Sequence, residues 1–358
     1  MEGYSKFKPD QKLLPAKHEE DLFVCDVADA VLKDIMPQME HPFYTLSKKP
    51  DTAIRRYEHN GNWVEITPSV KGIATIYDKD VLVYCISQIM GKLQKGENIS
   101  SPRIRITSHD LLKFTNRGTS GREYAALSEA LDRLAGTRIK TNIKTGGEVQ
   151  TKNFGLIDET DIIRKNNDRD GRMLWCEIKL SDWVFNAIRD GEVLTLNRDY
   201  FRLAKPLERR VYELARKHCG QQKKWSISLS LLLKKSGSQS RLKGFKQMIK
   251  DLVKYDHLPD YHVMIDENDN VHFHLRSTSA STMAGQHADY ESFPILSADT
   301  FEEARMYSKG YDVYVLEQEW HEFWVSSGKQ PLKNADRAFI GFVKKRFAAK
   351  QGQTYLGL

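Results

Sequence analysis

The chain has few cysteines and no motif built from them. Four cysteines, Cys25, Cys85, Cys176 and Cys219, are scattered over 358 residues, and no two form a CxxC pair. This spacing offers neither the paired ligands of a structural zinc site nor the dense cross-linking of a disulfide scaffold. We therefore expect reduced thiols and a cytoplasmic protein.

Long apolar runs and enzymatic signatures are also missing. No stretch approaches the roughly 20 apolar residues that a membrane helix requires, and the first nine residues contain no apolar core of a secretion signal. The sequence lacks the Gly-x-x-x-x-Gly-Lys-[Ser/Thr] loop that cradles nucleotide phosphates, and no acidic cluster for phosphoryl transfer stands out. We expect no membrane partner, no cofactor, no metal and no enzymatic activity.

Positive charge, by contrast, is in excess. The chain carries 55 lysines and arginines against 48 aspartates and glutamates, a net charge of +7 with a pI near 9.0. Such an excess favours a polyanionic partner. The hydrophobic content of 40% is enough for real cores, so a folded protein that binds nucleic acid is the first expectation.

One design occurs twice along the chain. A short apolar segment is followed by a tight turn, a longer amphipathic segment and then β-rich sequence. The two copies are Ser108–Phe114, Asn116–Gly121 and Arg122–Leu134, and later Ser228–Lys235, Ser236–Ser240 and Arg241–Lys254. Short helix, turn, longer helix and β-hairpin is the order of a winged helix, a module that reads DNA. Two copies predict a protein that docks twice on duplex DNA.

The apolar spacing predicts which face of each long helix is buried. The predicted stripes are Tyr124, Leu127, Leu131 and Leu134 in the first copy, and Leu242, Phe245, Ile249 and Leu252 in the second. The first hairpin is predicted from Thr137–Ile143 and Val149–Ile157, joined around Gly146 and Gly147, and the second is predicted around Glu267–Asn270.

These patterns predict an α+β fold with two tandem winged-helix domains followed by a small helical C-terminal domain. The expected parts are an N-terminal extension (1–60), a first winged helix (61–163), a second winged helix (170–276), a small, polar linker (277–292) and a helical module (293–358) that ends in a possible docking tail.

Candidate DNA contacts lie in the turns, at the first exposed positions of the long helices and on the first hairpin. Base edges come within reach of the helix starts, and lysines can neutralise phosphates or approach the minor groove. The first-copy candidates are Thr119, Ser120, Arg122, Glu123, Lys140, Lys144 and Lys152. The second-copy candidates are Ser238, Ser240, Arg241, Lys243, Lys246 and Lys250.

The C-terminal module combines aromatic and basic residues. We expect most of its aromatics to form a core, although the same residues suit stacking on unpaired bases or binding a partner protein. The candidates are Trp320, Trp324, Lys333, Lys344 and Arg346. The tail is loosely similar to the Gln-x-x-Leu-x-Leu peptide that docks on the bacterial sliding clamp, through Gln353, Leu356 and Leu358.

Four segments of the central 200 residues resemble plasmid replication initiators with tandem winged helices, the replication initiator protein A family. They are Tyr77–Leu82, Arg122–Leu127, Pro206–Arg216 and the lysine-rich helix after Gly237, of which Pro206–Arg216 is the most specific. The resemblance implies binding to repeated or inverted sites in a plasmid origin, melting of an adjacent AT-rich tract, recruitment of the host helicase and frequent repression of the initiator's own promoter.

A shorter match concerns the C-terminal segment. Trp320–Phe342 is similar to C-terminal modules of primosome and helicase-loading proteins. The partners implied are double-stranded origin DNA, host helicase or primosome proteins, the sliding clamp, single-stranded DNA and a second copy of this chain.

Two other classes of function stay open. A dedicated transcriptional repressor would use the same helices but would not need a module behind a linker. A rolling-circle nuclease would hold a divalent metal with His272 and His274, which share a strand face, and would attack with Tyr307, Tyr311 or Tyr314. Against the nuclease, the histidines fall on the predicted closing strand of the second winged helix, and a linker separates them from the tyrosines. The predicted function is an initiator without a catalytic centre.

Overall fold

The computed structural model describes residues 13–17, 32–59, 62–94, 97, 99–142, 152–164, 173–220, 222–276, 294, 296, 298–307, 313–326, 332 and 334–348. The chain forms two compact units. Met1–Ile188 and Leu194–Leu275 make up the main unit, and Arg189–Val193 and Arg276–Leu358 make up the C-terminal unit. Helices and sheets are both present, which confirms the predicted α+β class at that level.

The elements follow one another in this order: β1 (Lys33–Ile35), α1 (Met36–Glu40), β2 (Arg55–His59), β3 (Asn62–Thr67), α2 (Lys79–Gln94), β4 (Arg103–Thr107), α3 (Ser108–Phe114), α4 (Gly121–Gly136), β5 (Arg138–Thr141), β6 (Lys152–Gly155), β7 (Ile157–Arg164), β8 (Met173–Leu180), α5 (Asp182–Arg189), β9 (Val193–Thr195), a 3-10 helix (Arg198–Arg202), α6 (Pro206–His218), β10 (Lys224–Ser228), α7 (Leu229–Ser236), α8 (Leu242–Tyr255), β11 (Tyr261–Ile265), β12 (Asn270–Leu275), α9 (Ala298–Tyr307), α10 (Val313–Ser326) and α11 (Ala335–Ala348).

The first repeat consists of α2, β4, α3, α4 and the strands β7 and β8. Its three-stranded antiparallel sheet has the order β4-β8-β7, with Ile106 of β4 opposite Cys176 of β8. Side chains alternate between the two faces of a strand. Accordingly, Ile104 and Ile106 are buried whereas Arg103 and Arg105 are exposed.

The second repeat has the same sequence of elements: α6, β10, α7, α8, β11 and β12. Its antiparallel sheet has the order β10-β12-β11, so the strand that comes last in the chain is again central. Phe273 of this central strand lies opposite Trp225 of β10 and Val263 of β11. Phe273 and Val263 are buried, and they cover the inner face of the sheet.

Equivalent elements of the two repeats begin 121 residues apart. The first strands begin at residues 103 and 224, the short helices at 108 and 229, and the long helices at 121 and 242. A hydroxyl caps the short helix in both: the Thr107 oxygen accepts from the N–H of Asp110, and the Ser228 oxygen from that of Leu231. The backbone is left-handed at Asn116 and at Gly237, again 121 residues apart. The helix-turn-helix is therefore one design without insertions.

The hairpin that closes the first sheet differs from the predicted one. β5 and β6, which contain the predicted hairpin strands, belong to another sheet of order β2-β3-β5-β6. Instead, β7 and β8 complete the sheet of the first repeat, in the same way as β11 and β12 complete the sheet of the second. Hydrogen bonds join β8 to β4, so β8 is part of the first repeat although the expected boundary lay before it. Both repeats lie within the main unit.

The predicted buried stripes are confirmed with one exception. Tyr124, Leu127, Leu131 and Leu134 are buried in α4, as are Phe245, Ile249 and Leu252 in α8. Leu242, however, is 45% exposed. It is the first residue of α8, where no neighbouring turn of the helix brings it onto the core.

The segment expected as an N-terminal extension contributes to the main unit. Ile35, Met39 and Phe43 are fully buried, and the Phe43 ring lies 5.4 Å from that of Trp183 in α5. The start of α6 also suits its sequence. Pro206 occupies the first turn, where no donor N–H is needed.

The C-terminal unit contains α9, α10 and α11. Its core includes Phe301, Trp320 and Phe339, and the Phe339 ring lies 6.0 Å from Phe301 and 5.5 Å from Trp320. Across the helices that the structure describes, none has the length and apolar character that crossing a membrane would demand.

Candidate nucleic-acid interface

The turn and the first helical residues of the first repeat lie at the surface. Thr119, Ser120 and Arg122 are exposed, and Glu123 is half-buried at the start of α4. The Ser120 carbonyl oxygen accepts the first backbone hydrogen bond of this turn, from the N–H of Glu123 at 2.9 Å. The structure therefore brings these four candidates together at one helix start.

The corresponding surface of the second repeat is richer in cations. Ser240, Arg241 and Lys243 are exposed, and Ser238 is half-buried. The Ser238 hydroxyl oxygen accepts a hydrogen bond from the N–H of Ser240 at 3.3 Å and so stabilises the turn. Lys250 is exposed two turns further along α8.

Lys246 differs from the other predicted lysines. It forms an ion pair with Asp269 in the turn between β11 and β12. Asp269 itself has a positive φ of 60°, which places it in that tight turn. Lys246 therefore links the long helix to the hairpin, and part of its charge is already compensated before any phosphate approaches.

The constant offset allows the two long helices to be compared position by position. The equivalent pairs are Ser120 and Arg241, Gly121 and Leu242, Arg122 and Lys243, Glu123 and Gly244, Ala125 and Lys246, Ala126 and Gln247, and Glu129 and Lys250. In the first set Glu123 and Glu129 outweigh Arg122, whereas the second set contains four cations and no anion. Because phosphate attraction scales with the number of cations, the second repeat is electrostatically the stronger candidate.

Of the three predicted hairpin lysines, the structure places the side chain of Lys140 only, and Lys140 lies outside the sheet of the first repeat. Lys140 is exposed on β5, opposite Glu65 of β3 and Asn153 of β6, and therefore belongs to the four-stranded sheet. Lys144 and the side chain of Lys152 lie outside the described residues. By topology, the first repeat's counterpart of the β11–β12 turn is the connection between β7 and β8, residues 165–172, which also lies outside them.

Residues from β2 hold the turn of the second repeat in place. The Tyr57 hydroxyl donates to the carbonyl oxygen of Gly237 at 3.3 Å, and the Arg55 guanidinium donates to the Gln239 side chain at 3.1 Å. Gly237 has a φ of 71°, and a Cβ there would lie 2.6 Å from Cβ of Pro42. Only glycine fits this backbone position without displacement.

A buried polar cluster joins the two repeats, and sequence patterns offered no sign of it. Lys79 of α2 lies 2.6 Å from Asp34 and 2.9 Å from Glu213 of α6, and all three side chains are fully buried. The Tyr200 hydroxyl donates to Glu213 at 2.6 Å. Burial raises the pKa of Asp34 to about 6, against the lowering effect of Lys79.

Arg210 extends this cluster to the segment before β2. Its guanidinium donates to the carbonyl oxygen of Met39 at 2.7 Å, to that of Lys235 at 2.9 Å and to the Glu213 carboxylate at 3.1 Å. Lys235 is near the end of α7, so α6 fixes the short helix of the second repeat. Buried charged groups require such partners, since an unpaired one is costly.

The histidines of the nuclease alternative have other partners on the sheet surface. His272 lies 2.8 Å from the Ser226 hydroxyl and 3.1 Å from the Asp266 carboxylate. The Asn270 side chain and N–H, which donate to Asp266, lower the pKa of this carboxyl to about 2. His274 lies opposite His262 on β11. Among the described residues, no three His, Cys, Asp or Glu side chains are grouped to hold a metal ion.

The tryptophans of the C-terminal unit differ in accessibility. Trp320 is only 3% exposed and packs on Phe339, which excludes it from stacking on bases in this structure. Trp324 is half-buried. Phe323, which was not among the candidates, is 57% exposed and lies 5.6 Å from the Phe342 ring.

Two basic candidates of this unit are exposed on α11. Lys344 lies 3.6 Å from Glu303 and 4.1 Å from the centre of the Tyr307 ring, so its charge is partly compensated. Arg346 is exposed on the same helix. The predictions for Lys333, for the linker 277–292 and for the tail residues Gln353, Leu356 and Leu358 lie outside the described residues.

Comparisons of sequence identify relatives of the chain. Residues 33–263 match the profile of the family described as "Replication initiator protein A". A curated protein described as "Putative replication protein", from Wigglesworthia glossinidia brevipalpis, is 39% identical over 248 residues, which cover 69% of this chain and 90% of that protein.

Solved structures show a more distant likeness. A crystal structure of domains 2 and 3 of RctB matches with a TM-score of 0.45 and 14% identity, over 67% of this chain and 98% of that one. The Pi initiator protein in complex with iteron DNA matches with a TM-score of 0.38 and 14% identity, over 56% of this chain and 94% of that one.

Proposed function

The chain belongs to the replication initiator protein A family, and from that premise we propose that it is a plasmid replication initiator. The two repeats act as winged helices that bind repeated sites in double-stranded origin DNA. The observation that carries this proposal is that exposed cations, Arg241 and Lys243, lie at the start of the long helix of the second repeat. This helix belongs to a helix-turn-helix that occurs twice in the chain, 121 residues apart. A helix of this kind inserts its first residues into the major groove.

The electrostatic difference between the repeats gives them different shares in binding. The second repeat provides most of the phosphate attraction through Arg241, Lys243 and Lys250. The first repeat has more anions than cations at the equivalent positions, and it contributes orientation on the DNA and base contacts through Arg122. Buried ion pairs join α2 of the first repeat to α6 of the second. Because they connect the two repeats, they set the distance between the DNA-contacting helices α4 and α8.

The proposal extends to the steps after DNA binding. The initiator opens an adjacent AT-rich tract and recruits host replication proteins through the C-terminal unit. It also represses its own promoter where its binding sites overlap that promoter. It has no catalytic centre and works as a cytoplasmic DNA-binding protein. Exposed Phe323, Lys344 and Arg346 are the described residues best suited to contact such a partner.

DNase footprinting on the DNA that flanks the reading frame tests the proposal. We expect the full-length protein to protect regularly spaced repeats beside an AT-rich tract, and permanganate to react with thymines of that tract once the protein is bound. The variant Lys243→Ala with Lys250→Ala should lose protection, whereas Lys345→Ala on α11 should keep it. A single protected palindrome over the promoter would instead support a repressor.

Incubation with supercoiled origin DNA and Mg²⁺ or Mn²⁺ tests the absence of a catalytic centre. We expect no nicked product and no protein covalently attached to a DNA end. A covalent adduct that disappears in Tyr307→Phe would favour the nuclease class and contradict the proposal.

A further inference from the structure

Leu242 occupies an unusual place for a large apolar side chain. It is the first residue of α8 and is 45% exposed, whereas Phe245, the next apolar residue of the helix, is fully buried. Along α8, all of which the structure describes, Leu242 is the one apolar side chain that is exposed rather than buried or half-buried. The core of the second repeat therefore does not account for it.

The surroundings of Leu242 are cationic and polar. Arg241 and Lys243 flank it in sequence and are both exposed, and Ser240 precedes them at the surface. An apolar patch of another protein would have to desolvate these charges to reach the leucine, which is unfavourable. A polyanion that carries an apolar group of its own suits this arrangement better.

The equivalent position of the first repeat confirms that this is an outward-facing site. Gly121 begins α4 as Leu242 begins α8, and a Cβ at Gly121 would meet no atom within 4 Å. The same position thus points to open space in both repeats. It presents no side chain in the first repeat and a leucine in the second.

We propose that Leu242 reads thymine, by contact of its side chain with the C5-methyl group in the major groove. The inference rests on the proposed function, in which the start of α8 enters that groove. The thymine methyl is the apolar feature that distinguishes this base edge in the major groove. Cytosine offers an amino group at the neighbouring position, and the leucine would deprive that donor of water.

Replacement of thymine by uracil tests the contact, because uracil keeps every hydrogen-bonding group and lacks only the methyl. Duplexes are first selected by the full-length protein from a random-sequence pool, and the enriched duplex is then resynthesised with one thymine at a time replaced. For the wild type we expect one position, or one per repeated site, at which uracil weakens binding roughly three- to tenfold, the range for one buried methyl group.

The variant Leu242→Ala should bind the thymine duplex more weakly by a similar factor and should no longer distinguish uracil from thymine there. Leu242→Met, which keeps an apolar side chain of similar size, should retain part of the discrimination. Val70→Ala is the matched control, because Val70 is 98% exposed and lies outside both helix-turn-helix segments. It should leave affinity and uracil sensitivity unchanged.

The possible failures are distinguishable. If selection enriches no sequence, sequence-specific duplex binding fails and the proposed function falls with it. If a sequence is enriched but no position is sensitive to uracil, or the sensitivity persists in Leu242→Ala, the thymine contact is overturned while duplex binding stands. Leu242→Ala should not weaken α8, because alanine has a higher helix propensity than leucine. Circular dichroism of each variant verifies its fold.

Discussion

Arg209 of α6 and Asp80 of α2 form an ion pair with 2.6 Å between the guanidinium nitrogen and the carboxylate oxygen, and both side chains are at most 5% exposed. Arg209 also donates to the carbonyl oxygens of Leu203 and Phe201. Asp80 accepts a second hydrogen bond from Arg117 at 3.0 Å. Two of the four sequence segments that carried the family resemblance, Tyr77–Leu82 and Pro206–Arg216, therefore meet in the interior of the main unit.

The substitution Arg209→Ala should lower the free energy of unfolding by about 3–5 kcal/mol, because it leaves the buried Asp80 carboxylate with a single cationic partner. Urea denaturation of the full-length protein measures the loss. Lys71→Ala provides the control, since it breaks an ion pair to Asp132 in which both side chains are about half exposed, and such pairs contribute at most about 1 kcal/mol. Equal losses in the two variants would contradict the importance of burial.

The local part of the fold could be predicted from the sequence. Apolar residues three and four apart identify the buried face of α4 wherever a full turn of helix packs on the core, as for Tyr124, Leu127 and Leu131. The same rule failed at Leu242, because a helix end extends past the core and periodicity carries no information about where the core stops.

Strand pairing could not be predicted, because it depends on contacts between residues far apart in the chain. Two β-rich segments around Gly146 and Gly147 favour a hairpin locally, and β5 does pair with β6. Nothing in that local pattern shows that β5 and β6 belong to another sheet, or that β4 pairs with β8, some 70 residues later. The cluster of Lys79, Asp34 and Glu213 was missed for the same reason, since charged residues in sequence are expected at the surface.

Salt dependence should separate the lysines of α8. A substitution that removes one phosphate contact makes the slope of log K against log salt less steep by about 0.9. Lys243→Ala and Lys250→Ala should each show this change on selected and on random duplexes alike. Lys246→Ala should show a smaller one, because Lys246 is paired with Asp269. Three equal changes in slope would contradict this ranking.

The turn of the second repeat should tolerate no side chain at Gly237. Gly237→Ala forces a left-handed alanine and brings its Cβ onto Pro42, so we expect a loss of roughly 1–3 kcal/mol in unfolding free energy. Gly244→Ala is the control in the same repeat, because a Cβ there meets nothing within 4 Å. It should stabilise the protein by about 0.5–1 kcal/mol, and opposite signs in urea denaturation are the expected result.

Stability should fall in mild acid because of His41. Burial, and to a lesser degree the nearby Arg210, Lys235 and Lys217, lowers the pKa of His41 to about 4, against the opposing effect of Glu40. A group with a depressed pKa contributes stability that is present above its unfolded pKa, near 6.5, and is lost as the pH falls towards about 4.

The loss attributable to His41 over that window is on the order of 2–3 kcal/mol. Urea denaturation at pH 7 and pH 4.5 measures it, and His41→Gln, which does not titrate, should show a smaller difference between the two pH values. His218, whose pKa burial also lowers, keeps part of the dependence. A variant with the same pH dependence as the wild type would show that His41 is not responsible.

Deletion of residues 277–358 should leave duplex binding nearly intact and abolish plasmid maintenance. The helix-turn-helix segments, their sheets and the ion pairs of α2 with α6 all lie before residue 277. The C-terminal unit has its own aromatic core of Phe301, Trp320 and Phe339. Gel shifts with selected duplexes, together with a plasmid maintenance assay, measure both properties.

The substitution Phe323→Ser in the full-length chain separates recruitment from folding of the C-terminal unit. Phe323 is exposed, so its loss should spare the core and the duplex affinity while lowering plasmid maintenance. If the deletion abolished duplex binding, the C-terminal unit would belong to the DNA-binding fold. If the deleted protein still maintained the plasmid, recruitment through that unit would be wrong, because no surface of it would be required.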